Sequence, residues 1–322
     1  MPPVLESTAA PQETLYTDVI SGLQETPPTI PSKYLYDSRG ALLFSRICEL
    51  EEYYPTRTEL ALTRAHAPEI AERLGAQTIV TELGTGDGRK TRILLRHLQQ
   101  PATYIPVDIS ATQLQQSARA LRREFPQLQV LPLCVDYTDC WTVPCESIEG
   151  RRVFYFPGST IGNFKPRAAR RFLTRLSAMA GPDGALVIGV DLKKEPAVLQ
   201  AAYNDRHGVT AAFNLNLLRR LNRECRANFD PDCFRHRAVY QPELGRIEMR
   251  LVSTCSQQVQ FPTHQFHFTK GEFIVTEHSY KFQVQDFARL SEVAHWRTRS
   301  IWIDEQQHFS LWYLTTITPH DE

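Results

Sequence analysis

The chain has 322 residues, 42% of them hydrophobic, enough for one large α/β domain with an insertion or a small second domain. Lys plus Arg and Asp plus Glu both number 36, so no net basic field exists to hold nucleic acid or an anionic membrane, and a small-molecule partner fits better. Seven cysteines (Cys48, Cys134, Cys140, Cys145, Cys225, Cys233 and Cys255) include no C-x-x-C pair and leave one thiol over, which predicts reduced packing residues rather than a disulfide frame or zinc site.

No apolar run reaches membrane-spanning length, and the N-terminus carries acids and prolines rather than a basic-then-apolar leader. A cytoplasmic monomer is the expectation. His264 and His267 sit an odd number of residues apart in a strand-like stretch, so they face opposite sides and no metal is expected.

Residues 1–30 are polar and marked by Pro27-Pro28 and Pro31, which reads as a mobile arm followed by a short helix. Two aromatic-rich stretches follow, Tyr34 to Gly40 and Glu52 to Arg57. From Thr78 a short apolar stretch ends in the acid Glu82 and runs into the alternating Gly84, Gly86 and Gly88 before a helical pattern, as a first strand, turn and helix. Alternate glycines let the backbone turn sharply and approach a ligand. A dinucleotide fingerprint wants its third glycine at position 89, which is arginine, and a P-loop wants glycine before Lys90-Thr91, which is again Arg89. Neither phosphate-cradling motif is present.

The next strand, Ala102 to Asp108, ends in an acid placed to accept from two ribose hydroxyls. Ser110 then reads as an N-cap, with Leu114, Ala118, Leu121 and Phe125 at helical spacing. A third strand, Gln129 to Val135, ends in Asp136-Tyr137, an acid for an adenine amino group beside a ring to stack on the base. Each acid taken alone reads better as a solvated loop residue or helix cap; three such strand ends in order are much harder to explain so.

Arg152 to Phe156 is the fourth strand and opens into Gly158-Ser-Thr-Ile-Gly-Asn163-Phe. Pro166 to Ala180 reads as a crossover helix and Ala185 to Asp191 as the fifth strand, giving a parallel sheet. After Asp191 the alternation stops. A helical stretch over Glu195 to Asn222 precedes strands at Phe234 to Gln241, Arg246 to Phe261 and Gln265 to Phe268, and residues 196–282 read as an insertion. Gln285 to Val293 is helical again, and Arg297 to Ile303 with Phe309 to Ile317 forms a strand pair.

The loop Glu82-Leu-Gly-Thr-Gly resembles motif I of the class I S-adenosylmethionine-dependent methyltransferases. Together with Tyr36-Asp-x-Arg-Gly, Glu52-Tyr-Tyr-Pro-Thr-Arg, Gly158-Ser-Thr-Ile-Gly-Asn163 and Thr276-Glu277-His-Ser279, the chain is similar to the histidine-specific Nα-methyltransferase family over residues 30–317. The resemblance implies an α/β fold: a class I, Rossmann-like doubly wound sheet with an antiparallel edge strand, formed by 31–195 and 283–322, with an inserted α+β substrate domain over 196–282. It implies trimethylation of L-histidine to hercynine, towards ergothioneine, with S-adenosylmethionine as cofactor and the mono- and dimethyl forms as intermediates.

The resemblance also implies site residues. Cofactor contacts fall on Gly84, Gly86, Lys90, Asp108, Asp136, Tyr137 and Gly158. Substrate contacts fall on Tyr53, Asn163, Tyr203, Glu277 and Ser279, with Tyr36 orienting the amine and Phe213 and Met249 walling the pocket. Chemically, Asn163 and Tyr203 can donate to a carboxylate without adding charge, while Glu277 accepts from one imidazole N–H and Ser279 serves the other nitrogen. Rival readings are an Nα-methyltransferase for tyrosine or tryptophan, a nicotinamide-dependent oxidoreductase, and a non-catalytic cofactor-binding subunit. Without the resemblance, Glu277 and Ser279 are simply one face of a strand, and Tyr36, Tyr53, Tyr203 and Met249 are packing residues.

Overall fold

In the computed structural model, which describes residues 5–6, 11–139, 141–143 and 148–317, the chain divides into two units, each with its own core. The expectations for Cys140, Cys145 and the first residues of the arm lie outside the described residues. The elements in chain order are β1 (Leu5–Glu6), α1 (Pro11–Leu23), α2 (Ser38–Ile47), α3 (Tyr54–Leu74), β2 (Thr78–Leu83), α4 (Arg89–Leu95), β3 (Thr103–Asp108) and α5 (Ala111–Glu124). They continue with β4 (Gln129–Val130), β5 (Leu133–Cys134), β6 (Arg151–Phe156), α6 (Pro166–Ala180), β7 (Ala185–Asp191), α7 (Pro196–Tyr203), α8 (Val209–Glu224), β8 (Phe234–Gln241) and β9 (Arg246–Ser253). The last are β10 (Gln257–Gln260), β11 (Gln265–Phe268), β12 (Phe273–Tyr280), α9 (Val284–Glu292), β13 (Trp296–Ile303) and β14 (Phe309–Thr316).

The first unit comprises residues 5–6, 57–193 and 282–317 of those described. Its sheet runs β1-β5-β3-β2-β6-β7-β14-β13, with β4 also beside β3. Pairs up to β6/β7 are parallel; β14 runs antiparallel to β7, and β13 antiparallel to β14. Every residue of β2 and β7 is buried, the pattern of strands covered on both faces by crossover helices. On α6, Ala169, Phe172, Leu173, Leu176 and Ala180 recur at helical spacing and pack into one core cluster with Ile79, Phe154 and Ile188. β2 lies between β3 and β6, so the strand order reverses there, and ligands bind outside the carboxyl ends of such a switch point. This is the class I methyltransferase arrangement.

The expected third strand is two short pieces. Pro132 has no N–H to give the ladder, and pairing stops at Val130 and resumes at Leu133. Among the described residues, no helix is long and apolar enough to cross a membrane.

The second unit comprises residues 8–56 and 194–281. β8, β9 and β12 form an antiparallel sheet in the order β12-β9-β8, and β10 pairs with β11 as a separate ribbon. The long helical stretch expected from Glu195 breaks into α7 and α8, because Gly208 takes φ +70° and the Asp205 carboxylate caps the new start, accepting from the N–H groups of Val209 at 2.9 Å and Thr210 at 2.7 Å. The N-terminal segment also differs from expectation. α1 is helical where a mobile arm is expected, and its Leu15, Val19, Ile20 and Leu23 are buried in one cluster with Leu217, Leu218 and Ile274. An amphipathic stripe with an apolar partner orders the segment; Pro11 only opens the helix and Pro27-Pro28 follow it, so composition misleads. Residues 31–56 likewise group with 194–281 rather than with the sheet.

Candidate active site

In the first unit, β2 ends at Leu83 and the chain turns through Gly84 at φ +78°, a conformation that L side chains resist, with its N–H donating to the Val107 carbonyl at 2.8 Å. A Cβ here would stand 3.7 Å from the Tyr137 hydroxyl, so the glycine leaves room in front of that ring. Gly86, φ +49°, belongs to the same turn. Asp108 closes β3: one carboxylate oxygen accepts from the Ser110 N–H at 3.0 Å and the other from the Thr85 N–H at 3.4 Å. Burial raises its pKa, and these N–H groups oppose the rise. Ser110 thus contributes its amide; its hydroxyl does not cap α5 as expected.

Asp136 accepts from the Thr138 N–H at 2.9 Å and the Thr138 hydroxyl at 2.6 Å through one oxygen. The Tyr137 ring packs edge-on against Phe156 at 5.9 Å, and burial with the charges of Asp108 and Asp136 pushes its phenol up. Gly84, Asp108, Asp136 and Tyr137 therefore collect at the carboxyl ends of β2, β3 and β5. Each carboxylate oxygen has two lone pairs, so Asp108 retains capacity for a pair of ribose hydroxyls. The open turn, the diol acceptor and the ring fit an adenosyl group.

Glu82, the acid of the glycine motif, serves the interior. Its carboxylate accepts from the Thr91 hydroxyl at 2.7 Å and from the Tyr104 hydroxyl, and burial raises its pKa to about 7. Lys90 and Gly158 are joined by a residue the sequence does not reveal: Glu59 of α3, fully buried, pairs with the Lys90 ammonium and accepts the Gly158 N–H at 2.9 Å. Gly189 on β7 permits this, since a Cβ there would lie 2.2 Å from a Glu59 carboxylate oxygen. Ser159, at φ +55°, accepts the Asp191 N–H at 2.8 Å through its hydroxyl and anchors the loop to β7. The 3-10 turn Thr160–Asn163 follows. Asn163 is half-buried there, and its side-chain amide has no hydrogen-bond partner among the described residues.

In the second unit, the motif Tyr36-Asp-x-Arg-Gly resolves into structure and site. Asp37 caps α2, accepting the Gly40 N–H at 2.8 Å, and also accepts from Asn216 at 2.7 Å and Arg223 at 2.8 Å. Tyr36 joins an aromatic cluster, its ring 5.3 Å from Phe44 and 5.4 Å from Phe213. Tyr53 continues it, 6.2 Å from Phe44 and 6.1 Å from Tyr203. Burial, with Tyr203, Tyr36 and Glu277 nearby, pushes the Tyr53 phenol well up.

Glu277 stands opposite Met249 in the β12/β9 ladder, just past a bulge at Thr276. The Thr276 hydroxyl donates to Asn214 at 2.7 Å, and Asn214 donates to His236 at 3.0 Å. Burial lowers the His236 pKa and keeps the ring neutral, so its other nitrogen donates to the Tyr203 carbonyl at 2.8 Å. This chain ties α7, α8 and β8 to the bulge that aims Glu277. The Glu277 carboxylate, in a residue 9% exposed, has no hydrogen-bond partner among the described residues, and burial raises its pKa to about 7 against the pull of Lys281. Ser279 shares its face. Its hydroxyl lies 2.8 Å from the Tyr203 hydroxyl, and buried Lys281 donates to Ser279 at 2.7 Å and to Tyr203 at 3.0 Å. Tyr203 and Ser279, expected at opposite ends of the substrate, are thus bonded to each other and to a cation the sequence reading missed. Its signal was the alternation Glu277-x-Ser279-x-Lys281 along one strand face.

A family model described as histidine-specific, S-adenosylmethionine-dependent methyltransferase matches residues 15–316. Histidine N-alpha-methyltransferase of Mycobacterium tuberculosis is 41% identical over 303 residues, covering 92% of this chain and 93% of that protein. The protein of the same name from Mycolicibacterium smegmatis is 38% identical over 310 residues, covering 93% and 94%. Ergothioneine biosynthesis protein 1 of Neurospora crassa is 34% identical over 204 residues, covering 62% of this chain and 23% of that protein. With a match spanning nearly the whole chain, the protein belongs to the histidine-specific, S-adenosylmethionine-dependent methyltransferase family.

Proposed function

We propose that the protein transfers methyl groups from S-adenosylmethionine to the α-amino group of L-histidine, in succession through the mono- and dimethyl forms to hercynine. The observation that carries this reading is the pair on β12: a buried acid with no hydrogen-bond partner among the described residues, beside a hydroxyl held by Lys281. An acceptor and a donor on one face match the N–H and the bare nitrogen of an imidazole. An indole has no second ring nitrogen to accept from Ser279, and a phenol puts its donor and acceptor on one oxygen rather than on two separate ring atoms, which disfavours tryptophan and tyrosine as the substrate. The name of the Neurospora relative supports a place in ergothioneine formation. The described cysteines, all free thiols, support a reducing, cytoplasmic setting.

The donor supplies a methyl group on a cationic sulfur, so the acceptor needs only a neutral, well-aimed amine. Glu277 and Ser279 fix the ring end of the acceptor, and the Tyr36 hydroxyl orients its amine. Tyr53, Phe213 and Met249 give the acceptor an apolar wall, and Asn163 donates to its carboxylate. Gly84, Gly86 and Tyr137 seat the adenosine portion of the donor, Asp108 accepts from its ribose hydroxyls, Asp136 from its adenine amino group, and Lys90 and Gly158 meet its amino-acid end.

The test is incubation of the protein with S-adenosylmethionine and a panel of amino acids, with mass detection of one, two and three added methyl groups. Histidine should be the preferred acceptor; preference for tyrosine or tryptophan, or no transfer, sinks the reading. Asp108→Ala should weaken S-adenosylhomocysteine binding by about 10- to 100-fold through the lost ribose contacts, with a smaller change in the Michaelis constant for histidine. Glu277→Ala should show the reverse pattern. Equal loss of both ligands in either variant removes that residue from its assigned contact.

A further inference from the structure

Lys281, Ser279 and Tyr203 form a closed ring of hydrogen bonds within the second unit: 2.7 Å from the ammonium to Ser279, 3.0 Å to Tyr203, and 2.8 Å between the two hydroxyls. Lys281 is 3% exposed. An ammonium only donates, so both hydroxyl oxygens accept from it. Between the two hydroxyls the phenol is the more acidic and donates to the serine. The Ser279 oxygen then accepts twice, filling both lone pairs, and its own O–H is left to donate outward. A serine free of Lys281 would instead adapt, donating to one ligand and accepting from another. The titratable groups around this face are Glu277 on β12, Tyr203 at the end of α7, and Tyr36 and Tyr53 from the aromatic cluster.

We propose that Lys281 is a positioning residue that makes Ser279 an obligate hydrogen-bond donor, so that the site demands a ring with an acceptor nitrogen beside its N–H. The inference rests on histidine being the acceptor. Glu277, ionised, can only accept, and Ser279 can only donate, so the neutral imidazole satisfies both. A ring that presents C–H or N–H to Ser279 leaves the buried hydroxyl proton unpaired, and such mismatches are what let polar sites reject near-isosteres strongly.

The experiment uses histidine and the two pyrrolylalanine isomers, each of which keeps one ring N–H and replaces the other ring nitrogen by C–H. In the wild-type protein, kcat/KM should favour histidine over the better isomer by about 100-fold. Lys281→Met should bring that preference within about 10-fold, because Ser279 can then turn its proton away, while S-adenosylhomocysteine affinity stays within about threefold. A merely structural lysine would lower all rates together and leave the preference intact, and that result overturns the proposal. Should Lys281→Met fail to fold by circular dichroism, Lys281→Arg, which keeps the N–H donors, carries the test: it must preserve the preference, and collapse there overturns the proposal. Failure of wild-type protein to methylate histidine would instead sink the functional reading itself.

Discussion

Burial of the Glu277 carboxyl group costs the fold. Burial raises its pKa from an ordinary 4.5 to about 7, so the folded protein resists ionising it. The unfolded chain does not, and the folded state therefore loses relative stability as pH rises from about 4.5 through about 7, and no further above that. Glu277→Gln should remove this loss. The gap in thermal stability between variant and wild type should widen in favour of the variant from about pH 5 to pH 7 and then stay level, reaching at most about 3 kcal/mol. Thermal melts of the ligand-free protein across that range measure it; a gap independent of pH would show that Glu277 ionises as easily in the fold as outside it. Histidine affinity should move the other way, falling in the variant, which is the expected trade between stability and a preorganised site.

At the scale of elements, what the sequence shows depends on whether the signal is local. β2 with its glycine turn, α6 with its i, i+3, i+4 stripe, and the strand ends at Asp108 and Asp136 were legible because each is a periodicity or a stop signal in one short segment. The interruption of the third strand was written in Pro132, and the break between α7 and α8 in Asp205 and Gly208, but both signals were outweighed by the apolar runs around them. Glu59 had no local signal at all. It is one acid in a helix, and only the assembled first unit shows it joining Lys90 to the Gly158 loop with Gly189 beneath. Gly189→Ala tests that element-level clamp. The added Cβ would press on a carboxylate that cannot retreat without breaking both bonds, so the variant should lose about 2–3 kcal/mol of stability and bind S-adenosylhomocysteine more weakly. If calorimetry finds cofactor binding intact in Gly189→Ala, the clamp has no bearing on the donor site.

At the scale of the whole molecule, the residues proposed for the donor lie in the first unit and most of those proposed for the acceptor lie in the second, Asn163 of the first unit being the exception. The residues assigned to the donor, from Gly84 to Gly158, lie in the first, whereas Tyr36, Tyr53, Tyr203, Phe213, Met249, Glu277 and Ser279 lie in the second. The second unit is not a simple insertion, because its core includes α1: Leu15 and Val19, almost wholly buried, belong to the cluster that holds Phe213, Met249 and Tyr203. A segment whose composition suggests a loose arm is thus packed into the same core cluster as residues proposed to line the acceptor pocket. Leu15→Ala with Val19→Ala would open a cavity in that cluster, at a cost of about 3–6 kcal/mol if both losses add. Because the first unit has separate core clusters, the damage should be unequal. Histidine affinity should fall several-fold while S-adenosylhomocysteine affinity changes little, and hydrogen exchange should accelerate in β9 and β12 more than in β2 and β7. Equal weakening of both ligands would mean that the two cores fold as one cooperative body, and no effect on either would return α1 to the status of an arm. The unequal result would mean that the N-terminal helix helps to set acceptor affinity through packing alone, without touching the substrate.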